Sequence, residues 1–347
     1  MKIVQYGCGK MAHYIMRYII ENGEEIVGAI DKNINLIGKD IGEILESDIK
    51  GIKITDPSMT ADLFKQTKPD ICIITSMSLM KDVKEIFLLC ASMGINAIST
   101  CEEAFYPFNS SPKLTAKIDH LAKQNNCTIT GSGYQEANWG LLVATLAGTT
   151  HKITKIIGKS SYNVEDYGIA LARAHGAGKT KEQFNQEIAS TDNISDIKRQ
   201  KLINEGTFLP SYMWSVNGWL CDKLNLTVVK QTQKCVPQIC KEDIFSNTLN
   251  MTIKKGVVVG MSALVTTTTK EGIILETECI GKVYNKDEYD CNAWTIIGEP
   301  TTSLTINKPC TVELTCAAIV NRLTDVIKAP AGFIPTSKMG ELKYIKK

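Results

Sequence analysis

KIVQYGCGKMA, residues Lys2–Ala12, decides the fold. A short apolar run, Ile3–Tyr6, passes directly into Gly7-Cys-Gly9-Lys-Met-Ala12, and Met11–Glu21 behind it repeats apolar residues at helical spacing. Strand, glycine turn and helix in that order make the GxGxxA fingerprint of a dinucleotide-binding βαβ unit. Gly7 permits the tight turn, Gly9 lets backbone approach a pyrophosphate without a Cβ, and Ala12 is small enough for helix to pack on strand. The helix N-terminus supplies N–H donors and a partial positive charge, so Gly7, Gly9, Lys10, Met11 and Ala12 are the expected pyrophosphate cradle. Asp31 follows the next apolar run, Glu25–Ile30, about twenty residues on, where a carboxylate holds the adenosine ribose hydroxyls and repels a 2′-phosphate. NAD is therefore expected ahead of NADP, with Lys32 next door softening the preference.

Outward from this stretch, apolar runs at Ile52–Thr55, Asp70–Thr75, Ala97–Thr100 and Cys127–Gly131 alternate with helical-period segments at Ala61–Gln66, Lys81–Met93 and Ser111–Asn125. That alternation predicts an α/β Rossmann domain, a doubly wound parallel sheet, over residues 1–146. After about His151 the texture changes to long alternating stretches rich in Thr, Val and Ile, such as Asn250–Thr269 and Gly272–Tyr284. These predict an α+β substrate and dimerisation domain with a largely antiparallel sheet over 147–310, with a helix from Lys181 to Ile188 in its turn-rich part. Val312–Ile327 reads as a long helix stopped by Pro330 and Gly332, and residues 311–347 are expected to pack back on the first domain.

Composition narrows the partners. The 347 residues are 44% hydrophobic and 22% charged with a formal net charge of +2, so no global field favours nucleic acid or anionic membrane. The 12 cysteines are scattered, without a CxxC pair or a zinc spacing, and read as small hydrophobes in a reducing cytoplasm with no metal. No apolar run approaches the ~18 residues that span a bilayer, and Lys2 enters a strand without a signal-peptide layout. A cytoplasmic protein acting on a small molecule is the expectation.

Thr75, Ser76 and Met77 follow the fourth run, at the carboxyl edge of the sheet where cofactor ribose or nicotinamide is contacted in this topology; an ordinary loop is the other reading. The fifth run ends in Ser99-Thr-Cys-Glu-Glu-Ala-Phe-Tyr-Pro107, placing two adjacent carboxylates, Glu102 and Glu103, beside the expected nicotinamide position, with Thr100 on the cofactor side. A carboxylate there is suited to general acid/base work on an amine or carbinolamine, whereas both glutamates also suit the N-terminus of a following helix.

With these residues in place, the chain resembles the 2,4-diaminopentanoate dehydrogenases and native amine dehydrogenases, a branch of the dihydrodipicolinate-reductase-like proteins. The resemblance spans nearly the whole chain. It rests on GxGxxA, on Ile26-Val-Gly-Ala-Ile-Asp31 with Gly38-Lys-Asp40, and on Thr100-Cys-Glu-Glu-Ala-Phe-Tyr-Pro107. Gly176-Ala-Gly-Lys-Thr-Lys-Glu-Gln-Phe184 and Ala317-Ala-Ile-Val-Asn321 running into Lys328-Ala-Pro-Ala-Gly332 continue it. It implies a homodimer and NAD(P)-dependent oxidative deamination of a primary amine on a secondary carbon, giving a ketone and ammonia. A glutamate of the pair serves as acid/base, Glu103 placed ahead of Glu102.

One stretch departs from the family. Relatives carry a Gly-x-Gly-x-Asn-Pro-Gly-Phe-like sequence where this chain has Gly131-Ser-Gly133-Tyr-Gln-Glu-Ala-Asn-Trp139. Tyr134, Gln135, Glu136 and Asn138 are therefore expected to define a different amine, with Glu136 either facing a second substrate ammonium or solvated. Arg173 is a candidate for a substrate carboxylate, or for a surface ion pair. His175 is a candidate substrate contact, with a solvent-exposed histidine as the commoner reading, and Asn321 is a candidate nicotinamide contact or a partner of a neighbouring loop. Two rival functions share the fold: a dihydrodipicolinate-reductase-like imine reductase, whose paired-His and Ser-Gly-Thr motifs are absent, and an NAD(H)-binding sensor without turnover.

Overall fold

Short apolar runs, each followed by an amphipathic segment, fold into a parallel sheet in the computed structural model, which describes residues 1–345. In chain order these elements are β1 (Lys2–Tyr6), α1 (Lys10–Glu21), β2 (Glu25–Ile30), α2 (Ile41–Ile44), β3 (Ile54–Thr55) and α3 (Thr60–Thr67). Then come β4 (Ile71–Ile74), α4 (Met80–Met93), β5 (Asn96–Ser99), α5 (Pro112–Gln124) and β6 (Thr128–Gly131). The strands lie in the order β3-β2-β1-β4-β5-β6, every pairing parallel. The order reverses between β1 and β4, which in an open α/β sheet marks the ligand crevice at the carboxyl ends of the strands.

Both faces of this sheet are covered, and the apolar pattern of the strands follows from that. In β4, Ile71 and Ile73 join one core with Ile15, Met16 and Ile19 of α1, while Cys72 and Ile74 join the opposite core with Val83, Phe87 and Cys90 of α4. The helices stop where the sequence lets them. Gly94 takes the left-handed conformation behind α4, and Pro112 opens α5 at a position where its missing N–H costs nothing.

The chain divides into two compact units, Leu142–Pro309 and the remainder. The inserted unit contains α6 (Leu142–Ala147), β7 (Lys152–Asn163), α7 (Ile169–Ala174), α8 (Lys181–Phe184), α9 (Ser190–Asp192), α10 (Asp196–Glu205) and α11 (Tyr212–Lys223). Its remaining strands are β8 (Val228–Ile239), β9 (Ile244–Ser246), β10 (Met251–Ile253), β11 (Val258–Thr269), β12 (Ile274–Lys282), β13 (Cys291–Glu299) and β14 (Thr302–Asn307). β7 and five of these form a sheet in the order β14-β13-β7-β12-β11-β8, antiparallel except between β7 and β12. The expected strand Asn250–Thr269 is broken, because a turn at Lys254–Val257 with Gly256 at φ +88° sends β10 to a separate two-stranded sheet. The expected helix Lys181–Ile188 is α8 continued by a π-helical turn, Asn185–Ala189. Tyr212, Trp214, Asn217 and Trp219 lie on α11, where Trp214 and Trp219 are buried and the Asn217 amide bonds the hydroxyls of Thr267 and Thr277 at 3.1 and 2.9 Å.

The chain then returns to the first unit with α12 (Thr311–Lys328) and β15 (Gly332–Phe333), which pairs with β6 as a seventh parallel strand. Cys316, Ile319, Val320, Leu323 and Val326 of α12 recur at helical spacing and complete the core formed by α1. All twelve cysteines are free thiols. Among the described residues no helix is long and apolar enough to cross a membrane.

Candidate active site

The glycine turn is braced from below. Gln5, fully buried in β1, donates its amide N–H groups to the Gly7 carbonyl and the Thr75 hydroxyl, both at 2.9 Å, and that hydroxyl donates to the Gly7 carbonyl at 2.9 Å. The loop after β4 thus comes so close that a Cβ on Gly7 would lie 2.8 Å from the Thr75 carbonyl oxygen, and Gly7 sits at φ +90°. Glycine is required there on both counts. Gly9 caps α1 without a side-chain bond, and a Cβ on Gly9 would meet nothing within 4 Å. An open space therefore lies beside free N–H donors at a helix N-terminus, the arrangement a pyrophosphate needs. Lys10 is exposed at the first position of α1, Met11 is half-buried, and Ala12 is fully buried against the sheet.

Asp31 is fixed by the same turn. One carboxylate oxygen accepts the Cys8 N–H at 2.6 Å and the other the Asn33 N–H at 2.7 Å, which leaves lone pairs on both oxygens for further donors. Lys32 is exposed beside it. On the β4 side Thr75 serves the brace, while Ser76 and Met77 are exposed. Thr100 is half-buried, its N–H donating to the Ile74 carbonyl at 3.0 Å, and Asn321 is half-buried on α12. These residues fit a dinucleotide: a helix-terminal anion site and, across β1 and β2, a fixed carboxylate.

The adjacent glutamates behave differently. Glu103 is 4% exposed, and its carboxylate accepts the Met80 N–H at 2.7 Å and the Ser110 and Ser111 hydroxyls at 2.6 Å each. It caps α4, which has no side-chain cap of its own, and closes the loop that follows β5. Glu102 is half-buried, and burial pushes its carboxyl above the usual carboxylate range. Of the pair, Glu103 is thus engaged by three donors from its surroundings, and Glu102 is the less engaged carboxylate. The turn carrying both lies tight against the end of β6, where a Cβ on Gly131 would fall 2.4 Å from the Ala104 carbonyl carbon.

Beyond β6, Glu136–Leu141 forms a π-helical turn, a local strain that often accompanies functional sites. Glu136 corrects the sequence reading. It is fully buried, bonded to the Ser132 hydroxyl and paired with the Arg322 guanidinium of α12, so it faces neither substrate nor solvent. Tyr134 and Trp139 pack edge to face at 5.4 Å, the Asn138 amide donates to the Tyr134 carbonyl at 3.2 Å, and Gln135 is buried. The buried indole N–H of Trp139 has no partner, which leaves a donor available in this loop.

No family model matches the chain. Among solved structures it is similar to the amine dehydrogenase from Mycobacterium smegmatis, with 34% identity over 99% of this chain and 97% of that one and a TM-score of 0.84. The chain belongs to the amine dehydrogenase family. Within curated proteins, this amine dehydrogenase family member is 23% identical over 190 residues to 2,4-diaminopentanoate dehydrogenase of Acetoanaerobium sticklandii, covering 54% of each. It is 22% identical over 191 residues to 4-hydroxy-tetrahydrodipicolinate reductase of Methanothermobacter thermautotrophicus, covering 54% of this chain and 63% of that protein. The match thus spans between half and two thirds of the length of these curated relatives.

Two sequence candidates of this family member lie in the inserted unit. Arg173 is exposed at the end of α7. His175 is buried; its Nδ1 faces the Leu171 carbonyl at 2.9 Å and its Nε2 the Tyr162 hydroxyl at 2.7 Å. Burial lowers its pKa and burial raises that of Tyr162, so a neutral imidazole accepts the phenol proton bond at Nε2 and donates from Nδ1. Both ring nitrogens are occupied, and His175 offers no positive charge to a substrate carboxylate. Sequence reasoning missed Gln5 and Arg322, although each interrupts an apolar run or stripe, and a polar residue in such a place signals a buried partner.

Proposed function

We propose that this protein is a nicotinamide-dependent amine dehydrogenase that oxidatively deaminates a primary amine on a secondary carbon to a ketone and ammonia, and runs reversibly as a reductive amination. The observation that carries the reading is Glu102, a half-buried carboxyl of raised pKa at the carboxyl edge of a dinucleotide-type sheet. The similarity to an amine dehydrogenase over 99% of the chain supports it. Gly7, Gly9 and the N-terminus of α1 would hold the pyrophosphate, and Asp31 the ribose hydroxyls, which favours NAD over NADP. When bound, the nicotinamide supplies the hydride acceptor.

The protein's own part is proton handling. Glu102, ionised, takes a proton from the substrate ammonium, freeing the nitrogen lone pair that drives loss of hydride from the neighbouring carbon. After releasing that proton to solvent, it takes a proton from the water that adds to that carbon and returns it to the departing nitrogen, so that substrate ammonium, water and oxidised cofactor become ketone, ammonium, reduced cofactor and one released proton. The raised pKa means that the base form is lost at a higher pH than for an ordinary glutamate, so deamination is expected to favour alkaline conditions.

The test is NADH formation at alkaline pH over a panel containing 2,4-diaminopentanoate and simple secondary-carbon amines. Glu102→Gln is expected to lose turnover by about 100-fold or more, the size of a general acid/base contribution, while still binding NADH. Near-normal turnover in that variant would remove Glu102 from the mechanism, and silence of the wild-type protein across the panel would overturn the amine reading.

A further inference from the structure

One peptide unit, Gly7–Cys8, joins the glycine turn to Asp31, and it is held at both ends. Its carbonyl oxygen accepts the Gln5 amide and the Thr75 hydroxyl at 2.9 Å each, while its N–H donates to the Asp31 carboxylate at 2.6 Å. A trans peptide is planar, with C=O and N–H pointing in opposite directions, so any rotation of the plane moves both ends together. The peptide before it is already fixed, its Gly7 N–H donating to the Ile30 carbonyl at 2.8 Å. What remains free is rotation of the Gly7–Cys8 plane itself, which a glycine at position 7 permits. Gln5 also donates to the Thr75 hydroxyl at 2.9 Å, closing a triangle beneath the turn. The direction in which the Cys8 N–H meets Asp31 is thus set from β1 and the loop after β4.

We propose that Gln5 is a positioning residue for Asp31: acting through the Gly7–Cys8 peptide, its amide holds the carboxylate where it accepts the adenosine ribose hydroxyls and repels a 2′-phosphate. This inference rests on Asp31 being the ribose ligand of the proposed function. The other Asp31 oxygen is bonded by the Asn33 N–H of its own loop, so the Cys8 N–H is the tie between the carboxylate and the turn. Stability alone does not explain an amide at position 5. Gln5 is fully buried on the face of β1 that it shares with Ile3, and its side-chain oxygen has no hydrogen-bond partner among the described residues. Without Gln5 the Gly7 carbonyl still receives the Thr75 hydroxyl, so no group of the turn is stranded. The amide therefore adds orientation to the turn rather than a bond that folding needs.

The test uses Gln5→Leu, apolar and of similar size, and reads binding rather than turnover. Dissociation constants for NADH and NADPH are measured by fluorescence titration, and amide hydrogen exchange at Cys8 is followed in protein without cofactor. The variant is expected to melt no lower than wild type, to exchange Cys8 faster, and to lose NADH affinity by about 10-fold, the scale of one hydrogen bond. A smaller loss is expected for NADPH, whose 2′-phosphate meets less repulsion once Asp31 is released. Thr75→Val, which removes the other donor to the same carbonyl, is expected to narrow the gap between the two cofactors in the same direction. A merely structural role weakens both cofactors by one factor, so an equal loss for both, or Cys8 exchange as slow as in wild type, overturns the inference. A wild-type protein that binds NADPH as tightly as NADH overturns the ribose role of Asp31 instead, and one that binds neither overturns the proposed cofactor.

Discussion

At the residue scale, two neighbours of the same type have been given opposite tasks by their surroundings. Glu103 receives a backbone N–H and two hydroxyls, whereas Glu102 is desolvated and its carboxyl pushed up. A raised carboxyl pKa carries a stability cost of determinate sign. As pH rises, the unfolded chain releases this proton near the ordinary glutamate value, before the folded protein does, so stability falls between that value and the raised one. Glu102→Gln is therefore expected to melt at a higher temperature than wild type at pH 7 and to lose this advantage below about pH 4, where both forms are protonated. Thermal melts at the two pH values check this, and a variant less stable than wild type at pH 7 contradicts it. Such a gain on removing the group fits a functional residue kept at the expense of stability. The sequence placed the acid pair correctly beside the fifth strand but could not divide its labour, because Ser110 and Ser111 reach Glu103 only through the fold of the loop between them.

At the element scale, α12 is tied to the π-helical turn after β6 by the buried pair Arg322 and Glu136. The guanidinium also bonds Asp325 at 2.7 Å and the carbonyl of Gly340 at 2.8 Å, so one side chain joins the helix, the loop and the C-terminal segment. Removing one partner strands the other charge in the interior, and Arg322→Met is expected to cost about 3–5 kcal/mol. The double change Arg322→Met with Glu136→Gln leaves no stranded charge and is expected to recover much of that loss. Denaturant unfolding of both variants measures it; equal losses would show that the pair acts through packing alone. The apolar stripe of α12 was legible as helical periodicity. The arginine inside that stripe was legible only as an anomaly, since its partner lies 186 positions away.

At the scale of the whole molecule, the dinucleotide-type unit is built from two separated parts of the chain, with Leu142–Pro309 inserted between them. The core on one face of its sheet pairs Ile15, Met16 and Ile19 of α1 with Ile319, Val320 and Leu323 of α12. A chain ended at Pro309 would leave that face of α1 and of the sheet in water, and the first unit is expected not to form. Hydrogen exchange at the β1 and β4 amides checks this: protection is expected in the full chain and none in the truncated one, and equal protection would overturn the expectation. What the sequence determined alone was local: the glycine turn, the acid after β2, the alternation of strand and helix, and the family that these motifs in order identify. Each of those signals lies within about one βαβ unit, where backbone sterics and side-chain period act between near neighbours. Only the tertiary structure decided that Glu103 is engaged by Met80, Ser110 and Ser111, that Glu136 is spent on Arg322 and that His175 is held neutral. Those outcomes depend on burial and on donors brought from distant segments, and side-chain charge states respond to that surrounding rather than to the residue type.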